Sequence, residues 1–363
     1  MNAPDAALAL VRGAVRGMEG YVPGLQPSPG QQLVKLNTNE NPYPPSPRVL
    51  AAIRKAADES LRLYPIPDAS PLRERAADTY GLRPEQVLCG NGSDEVLAIV
   101  MRAFVDQGDA IAYFYPSYSL YPVLASIARA RAVTVALPRV AHRSETAGLP
   151  VPSPQAKVFF LTTPNSPYGL AFPAAWVARL LAAFPGIVVS DEAYVDFARE
   201  SSLPLLADNP RLIIVRSLSK SYSLAGMRVG LAFAHEALVR EMLKVKDSYN
   251  LSRLAQVASC EALDDQQYFR EIRERIVATR ERFFARLSGL GFTVLPSEAN
   301  FLFAVPPARN SAKIVYERLL ARGFLVRYFP SPPLSDGFRI SIGTDADMDS
   351  LASAIEEETH GGQ

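Results

Sequence analysis

Residues 217–230, SLSKSYSLAGMRVG, place a single lysine among hydroxyl side chains and between two apolar runs. The runs LIIVRSL and VGLAFA on either side are typical of strands in a sheet that is covered on both faces. A lysine in such surroundings is desolvated, which lowers its pKa and makes it a neutral nucleophile toward a carbonyl. Ser217, Ser219 and Arg228, the last expected in a buried strand, then supply donors for a phosphate group. We therefore predict that Lys220 binds a phosphorylated cofactor covalently.

The composition is that of a globular protein with room for two domains. Of the 363 residues, 48% are hydrophobic and 21% charged, and the net charge of +1 leaves no large basic field for nucleic acid. Three histidines exclude a histidine-rich metal site, so no metal is expected. Two cysteines without a CxxC neighbour, no basic-then-apolar signal at the start and no apolar run of about 18 residues predict a reduced, cytoplasmic setting.

From about residue 70, apolar strand patterns alternate with helical ones. The predicted strands are QVLCG, AIAYFY, AVTVAL, KVFFLTT, GIVVSDEAY, LIIVRSL and VGLAFA. This alternation predicts an α/β fold whose mostly parallel central sheet is covered by helices. Residues 236–263 are predicted to form one long helix. The chain is therefore divided into an N-terminal arm with part of the small domain (1–50), a large domain (51–263) and a small α+β domain (264–363).

Polar residues follow two of these strands, at the edge where ligands bind in such sheets. In VVSDEAYVDF the apolar run ends at Asp191, with Tyr194 close behind, although a carboxylate there also suits the cap of a turn. In VFFLTTPNSPYG two prolines hold a turn that presents Asn165, and a plain proline turn is the competing interpretation.

Two further segments suit the same ligand. VLCGNGSDEVL predicts a strand, a glycine turn and a helix start at Ser93 and Asp94, where free N–H groups bind phosphate. A routine capping box is the alternative, and the missing third glycine disfavours a dinucleotide site. FYPSYSLYP supplies Tyr115, Tyr118 and Tyr121, whose rings suit stacking on a planar ligand or packing over a helix.

Together these segments meet the needs of one cofactor. Pyridoxal phosphate requires a lysine for its Schiff base, an acid beside the pyridine nitrogen, a phosphate cradle and an aromatic ring for stacking. All four occur at strand-to-loop junctions of one alternating α/β segment. We therefore predict a pyridoxal 5′-phosphate enzyme.

From EGYVPG at 19–24 to FRISIGT at 338–344, the chain resembles the fold-type-I aminotransferases, and specifically the histidinol-phosphate aminotransferase family. The most specific segments are SLSKSYSLAGMRVG, SDEAY, TTPNSPYG and GNGSDE. The resemblance implies that Lys220 and Asp191 are catalytic, with Asp191 paired to the pyridinium nitrogen. It implies cofactor contacts to the ring from Tyr118, Asn165 and Tyr194, and to the phosphate from Ser93, Asp94, Ser217, Ser219 and Arg228.

The resemblance also implies how substrate binds. Arg327 in FLVRYF and Arg339 in GFRISIG match the family's arginine-bearing strands, and arginine forks suit carboxylate and phosphate. Tyr21, Asn39 and Glu40 match segments at the substrate entrance. Tyr64 resembles the tyrosine that reaches the phosphate in the neighbouring subunit, which implies a homodimer.

The implied reaction is transamination between L-histidinol phosphate and 2-oxoglutarate in histidine biosynthesis. An aromatic amino-acid aminotransferase and a phosphothreonine decarboxylase remain alternatives, because both use a similar scaffold and cofactor site. The chain departs from the family at Tyr168, where a small hydroxyl residue is usual. The larger side chain is expected to alter the wall of the site.

Overall fold

The computed structural model describes residues 7–28, 30–31, 33–308 and 310–360. Its strands in chain order are β1 (Val34–Lys35), β2 (Val87–Asn91), β3 (Ala110–Tyr115), β4 (Arg131–Ala136), β5 (Val158–Thr162), β6 (Ile187–Asp191), β7 (Leu212–Ser217), β8 (Val229–Ala234), β9 (Thr293–Val294), β10 (Phe301–Val305), β11 (Phe324–Leu325), β12 (Arg327–Tyr328) and β13 (Phe338–Ser341).

The helices are connected to these strands by short loops in most of the chain. In chain order they are α1 (Gly13–Arg16), α2 (Pro47–Ala56), α3 (Ser70–Tyr80), α4 (Gly92–Phe104), α5 (Leu120–Ala128), α6 (Ala174–Ala183), α7 (Glu236–Val245), α8 (Arg253–Asp264), α9 (Gln266–Gly289), α10 (Ala312–Ala321) and α11 (Asp345–His360).

Seven strands form the central sheet, in the order β2-β8-β7-β6-β5-β3-β4. The pairs along β7-β6-β5-β3-β4 are parallel, while β8 runs antiparallel to both β2 and β7. The parallel strands therefore end at one edge of the sheet, which collects the polar residues that follow them.

Two apolar clusters cover the two faces of this sheet. Successive residues of β5 alternate between them, since Phe159 and Leu161 join one cluster while Val158 and Phe160 join the other. Helices α3, α6 and α8 contribute to the first cluster, and α4, α5 and α7 to the second. Burial on both faces explains why these strands are continuous apolar runs. The predicted α/β fold is confirmed.

The C-terminal part of the chain forms a second, smaller sheet. It is four-stranded and antiparallel, in the order β12-β13-β10-β9. A third apolar cluster lies between this sheet and helices α9, α10 and α11. The short β1 pairs in parallel with β11, so a segment of the N-terminal arm joins the C-terminal part.

The prediction of one long helix over residues 236–263 is wrong. Helix α7 ends at Val245 and α8 begins at Arg253, after Ser252, whose hydroxyl accepts the amide N–H of Ala255 at 3.2 Å. Asn250, in the break, donates to the Glu95 carboxylate at 2.7 Å and to the Cys89 carbonyl at 3.2 Å. The capping serine and these tertiary bonds separate the two helices.

A search of the described residues for a membrane-spanning helix finds none of sufficient length and apolarity.

Candidate active site

A cavity of roughly 840 Å³ lies beyond the carboxyl ends of β3, β5, β6 and β7. Its walls also include residues of the N-terminal arm and of the C-terminal part. Thirteen of the predicted site residues line it: Tyr21, Asn39, Ser93, Asp94, Tyr118, Asp191, Tyr194, Ser217, Ser219, Lys220, Arg228, Arg327 and Arg339. The fold thus brings together residues that lie up to 318 positions apart in the chain, from Tyr21 to Arg339 (339 − 21).

Lys220 lies in the loop between β7 and β8, with its ammonium group inside the cavity wall. Its Nζ donates to the backbone carbonyl of Thr38 at 3.2 Å, and Asn41 holds the main chain by donating to the Lys220 carbonyl at 2.9 Å. Burial, with a smaller effect from the nearby Arg339, lowers the Lys220 pKa to about 8. At pH 7 about 10% of such a lysine is neutral, roughly 300 times the fraction for an ordinary lysine.

Asp191 ends β6 and is almost fully buried. Its Oδ2 accepts the hydroxyl of Tyr121 at 2.7 Å, and its Oδ1 accepts the amide N–H of Ala193 at 3.3 Å. Burial raises the pKa of Asp191 to about 6, and the bond from Tyr121 opposes that rise. A buried carboxylate with no cation beside it suits a positively charged partner such as a protonated ring nitrogen.

We expect this carboxyl to make the cofactor-free protein less stable as the pH rises. Because its folded pKa is above its usual value of 3.8, the stabilisation present below pH 4 is lost through pH 6. The free energy of unfolding of Asp191→Asn, minus that of the wild type, should increase by about 2 kcal/mol between pH 4 and 7. Urea unfolding at several pH values measures this difference.

Asp109→Asn is the matched control for that experiment. Lys157 binds Asp109 at 2.8 Å and lowers the pKa of its carboxyl, so its contribution to stability is lost only below about pH 4 and the difference should stay nearly constant between pH 4 and 7. A pH-independent difference for Asp191→Asn would show that Asp191 titrates as in the unfolded chain.

A set of hydrogen-bond donors surrounds one end of the cavity. Ser93 and Asp94 lie in the first turn of α4, where backbone N–H groups have no partner within the helix. The Ser219 hydroxyl is buried without a hydrogen-bond partner in the described chain. Arg228 completes the set from the residue before β8. Helix N–H groups, a hydroxyl and a guanidinium are the groups that bind phosphate.

Arg228 does not lie in a buried strand, as the apolar sequence around it predicted. It precedes β8 with a φ of 53°, in the left-handed region, and 46% of its side chain is exposed. This backbone conformation turns the guanidinium back over the start of α4, where it binds Asp94 at 3.1 Å. A side chain at a left-handed position leaves the strand direction, which an apolar pattern does not reveal.

Two tyrosines flank the middle of the cavity. The Tyr118 hydroxyl donates to Asp94 at 2.8 Å, and the Tyr194 hydroxyl accepts from the Asn39 amide at 3.0 Å. Burial raises the pKa of both phenols, so both are neutral donors at physiological pH. The Nζ of Lys220 lies 5.7 Å from the centre of the Tyr194 ring.

Arg339 is a half-buried cation without an acidic partner among the described residues. Its guanidinium donates to Ser166 Oγ at 3.0 Å and to the Asn37 carbonyl at 2.8 Å, while Nε has no partner. In the part of the chain that the structure describes, no carboxylate lies within ion-pair distance of it, and burial lowers its pKa. A buried cation left unpaired is costly unless an anion binds beside it.

Three predicted residues do not line the cavity. Asn165 is buried and donates to the Pro116 carbonyl at 3.2 Å. Glu40 forms an ion pair with Lys35 at 2.6 Å, although the Asn39 beside it lines the wall. Tyr64 lies on the surface, 80% exposed, and stacks on Tyr249 with ring centres 4.4 Å apart.

Sequence reasoning missed the roles of Tyr121, Thr38 and Asn41. Tyr121 had been considered only as an aromatic surface, yet it is fully buried and binds the Asp191 carboxylate. Its position shortly after β3, at the edge of the sheet where ligands bind, was the available signal. The carbonyl of Thr38 carries no signal in a side-chain pattern.

The site fits the phosphorylated pyridine aldehyde predicted from the sequence. A lysine of lowered pKa, a buried carboxylate, flanking phenols and an anion cradle occur in one cavity. At the cradle, the Ser219 hydroxyl lacks a partner in the described chain, and β8 approaches α4 closely. At Gly230, a Cβ atom would lie 2.4 Å from the amide nitrogen of Ser93.

Comparison with known proteins gives matches over most of the chain. The family model for aminotransferase class I and II matches residues 31–355. The chain is 46% identical to the histidinol-phosphate aminotransferase of Geotalea uraniireducens, over 96% of this chain and 99% of that protein. It is also 46% identical to the protein of that name from Synechocystis sp., over 95% of this chain and 97% of the relative.

A solved structure is similar over the same extent. The histidinol-phosphate aminotransferase from Sinorhizobium meliloti, crystallised in complex with pyridoxal-5′-phosphate, superposes with a TM-score of 0.85 at 27% sequence identity. The match covers 97% of this chain and 98% of that one. The similarity therefore extends over nearly the whole chain.

Proposed function

The chain belongs to the class I and II aminotransferases and, within them, to the histidinol-phosphate aminotransferase family, and we propose that it transfers an amino group between L-histidinol phosphate and 2-oxoglutarate. The products are imidazole acetol phosphate and glutamate, in histidine biosynthesis. One juxtaposition supports this most directly: the cavity holds both the Lys220 amine of lowered pKa and the unpaired Arg339 guanidinium. The first suits carbonyl chemistry, and the second suits an anionic substrate.

Pyridoxal 5′-phosphate is the cofactor, and when bound it supplies an electron sink for the bonds at the substrate's amine-bearing carbon. Lys220 would hold it covalently, and Asp191 would hold the proton of its pyridine nitrogen. Its phosphate group would accept hydrogen bonds from the start of α4 and from Ser217, Ser219 and Arg228. Tyr118, Asn165 and Tyr194 are proposed to position its ring.

The residues of the chain then move one proton. Nζ of Lys220, as a neutral amine, would take the proton from the amine-bearing carbon of the amino donor and, in the second half of the reaction, supply the proton on the amine-bearing carbon of glutamate. The Thr38 carbonyl and the Asn41 amide orient the lysine, because they bind its Nζ and its main chain. Tyr121 keeps Asp191 ionised and correctly rotated by donating to Oδ2.

Substrate recognition is assigned to the two arginines at the cavity wall. Arg327 and Arg339 face each other across the pair β12-β13, at directly opposed positions. The guanidinium of each arginine offers a fork of N–H donors that binds a phosphate or a carboxylate. Histidinol phosphate and 2-oxoglutarate can therefore both bind beside these two arginines. Tyr21 and Asn39 line the adjoining wall, and Glu40 orients that segment through Lys35.

We propose a homodimer in which Tyr64 completes the site of the partner. Large apolar side chains are exposed together near Tyr64: Leu61, Leu63, Ile66 and Tyr249. Such a patch marks an interaction surface. The Tyr64 hydroxyl has no hydrogen-bond partner recorded in its own described chain, and it suits the phosphate of a neighbouring subunit.

Mixed dimers test this arrangement. Tyr64→Ala removes one charge-assisted hydrogen bond, so cofactor affinity should fall about ten- to hundredfold. Mixing this variant with inactive Lys220→Ala should raise the activity per Tyr64→Ala protomer. The hybrid has one site with an intact Lys220 and an intact Tyr64 from the other subunit.

The control is Tyr249→Ala alone, which removes the stacked pair but keeps Tyr64 and so tests whether loss of the pair prevents assembly. If mixing with Lys220→Ala restores nothing while hybrid dimers form, Tyr64 acts within its own subunit.

A substrate panel tests the proposed reaction itself. Histidinol phosphate, phenylalanine and O-phosphothreonine are each supplied with 2-oxoglutarate, and glutamate formation is measured. We expect kcat/KM to be highest for histidinol phosphate. A higher value for phenylalanine would reject the proposed donor, and release of carbon dioxide from phosphothreonine would identify a decarboxylase.

We also propose the division into an arm with part of the small domain (1–50), a large domain (51–263) and a small domain (264–363), and a cytoplasmic location. The separate apolar cluster around α9 supports the second boundary. Both cysteines are unpaired, as expected in a reducing compartment.

A further inference from the structure

Arg139 connects two distant parts of the chain. It follows β4, between the buried Leu137 and Val140, which fix its backbone against the core. Its guanidinium binds both carboxylate oxygens of Asp336 at 2.7 Å, and it also donates to the Pro333 carbonyl. A two-point arginine–carboxylate bond has a defined direction, unlike a single surface ion pair.

The guanidinium of Arg139 packs against the side chain of Tyr168. Its ring is 99% buried and packs edge-on against Phe303 of β10, with centres 5.4 Å apart. The guanidinium carbon of Arg139 lies 5.5 Å from the Tyr168 ring centre and 5.4 Å from that of Phe303. The Tyr168 hydroxyl accepts from Arg139 Nε at 3.3 Å. A small hydroxyl residue at position 168 would remove the aromatic ring against which Arg139 packs.

The segment that Arg139 binds is a wall of the cavity. We define the wall loop as residues 329–337, between β12 and β13, of which Phe329, Pro330, Ser331 and Leu334 line the cavity. Leu334 is buried in the apolar cluster of the central sheet. The Tyr115 hydroxyl adds a bond to the Pro332 carbonyl at 3.3 Å.

The first residue of the wall loop contacts both substrate arginines. The Phe329 ring centre lies 5.5 Å from the guanidinium carbon of Arg327 and 5.9 Å from that of Arg339. A shift of the loop therefore changes the surface against which both cations rest. Arginine forks bind anions only in a fixed orientation, so their alignment depends on this ring.

We propose that Arg139, Asp336 and Tyr168 form a clasp that holds the wall loop in place and thereby positions Arg327 and Arg339 for the anionic substrate. The three are positioning residues, because none of them lines the cavity. The consequence for substrate rests on the proposed function, whereas the hold on the loop does not.

Kinetics of the holoenzyme separate positioning from chemistry. Arg139→Met keeps an apolar stem over Tyr168 and removes the bonds to Asp336 and Pro333. KM for histidinol phosphate and for 2-oxoglutarate should rise about tenfold, while kcat stays within about twofold of the wild type. Asp336→Asn, which keeps one acceptor, should give a smaller rise in KM.

Two further variants test the packing of Arg139 on the Tyr168 ring. Tyr168→Phe retains the ring and loses only the hydroxyl, so KM should stay within about twofold of the wild type. Tyr168→Ser should raise KM as Arg139→Met does. Arg83→Met is the matched control, because it breaks a surface pair with Glu236 at 2.8 Å in residues that do not line the cavity.

Hydrogen exchange provides a readout that needs no substrate. In Arg139→Met, amide exchange over residues 329–337 should be about tenfold faster than in the wild type, with no change in Arg83→Met. Unchanged exchange and unchanged KM overturn the clasp, as does a loss of kcat at constant KM. If the wild type transaminates none of the proposed substrates, the proposed function fails, and the exchange rates alone then decide whether the clasp holds the loop.

Discussion

Lys220→Ala should abolish transamination, with a fall in kcat of at least about 10⁴-fold, because one amine both holds the cofactor and moves the substrate proton. After borohydride reduction of the wild type, the peptide that carries the cofactor should contain Lys220. The variant should carry no covalent cofactor after the same treatment. Steady-state rates and peptide mass spectrometry measure the two results.

A control substitution at another lysine and the addition of a small amine make this test specific to Lys220. Lys157→Ala removes an exposed lysine that pairs with Asp109, and it should leave both kcat and covalent attachment unchanged. Added methylamine should partly restore turnover in Lys220→Ala, because a free amine can replace the missing base. Activity within tenfold of the wild type in Lys220→Ala would refute the role of this residue.

Arg339→Met should lower kcat/KM by about 10³-fold, because truncating one partner of a buried charge pair costs about 3–5 kcal/mol. Arg339→Lys keeps the charge but loses the fork of donors, so a loss of about tenfold is expected. Cofactor content should stay at the wild-type value in both variants, since the predicted phosphate cradle lies elsewhere in the cavity.

Arg216 offers the contrasting control. It is buried, and Glu192 and Asp196 each lie 3.0 Å from its guanidinium. Arg216→Met should therefore reduce stability by about 3–5 kcal/mol, because it leaves two carboxylates without their cation. A large loss of stability with an unchanged KM in Arg339→Met would mean that this arginine is structural and does not bind substrate.

The central sheet was predictable because most of its strands are continuous apolar runs, whereas the edge strand β4 is largely exposed. The direction of β8 was not predictable, because VGLAFA has the same composition in either direction. Its antiparallel pairing with β2 and β7 depends on tertiary contacts. The break before α8 was likewise missed, because the bonds of Asn250 to Glu95 and Cys89 join residues 155 and 161 positions apart.

The same distinction between local pattern and tertiary contacts applies to the site. Residues at strand ends, such as Asp191 and Ser217, were predicted to share an edge of the sheet, and they do line one cavity. Glu40 was assigned to that entrance, yet its carboxylate is bound to Lys35. Which polar groups are already satisfied by neighbours depends on three-dimensional packing, and a motif does not report it.

Register in the β7-β8 pair constrains how this enzyme can vary in length. Ser217 is directly opposite Gly230, so the segment between them is a closed loop tied at both ends. An inserted or deleted residue in this segment would displace the Lys220 amine relative to the anion cradle by up to about 3.3 Å. If the strand register shifted instead, each side chain of the shifted strand would move to the opposite face of the sheet. Natural variants and engineered libraries should therefore reject indels between 218 and 229.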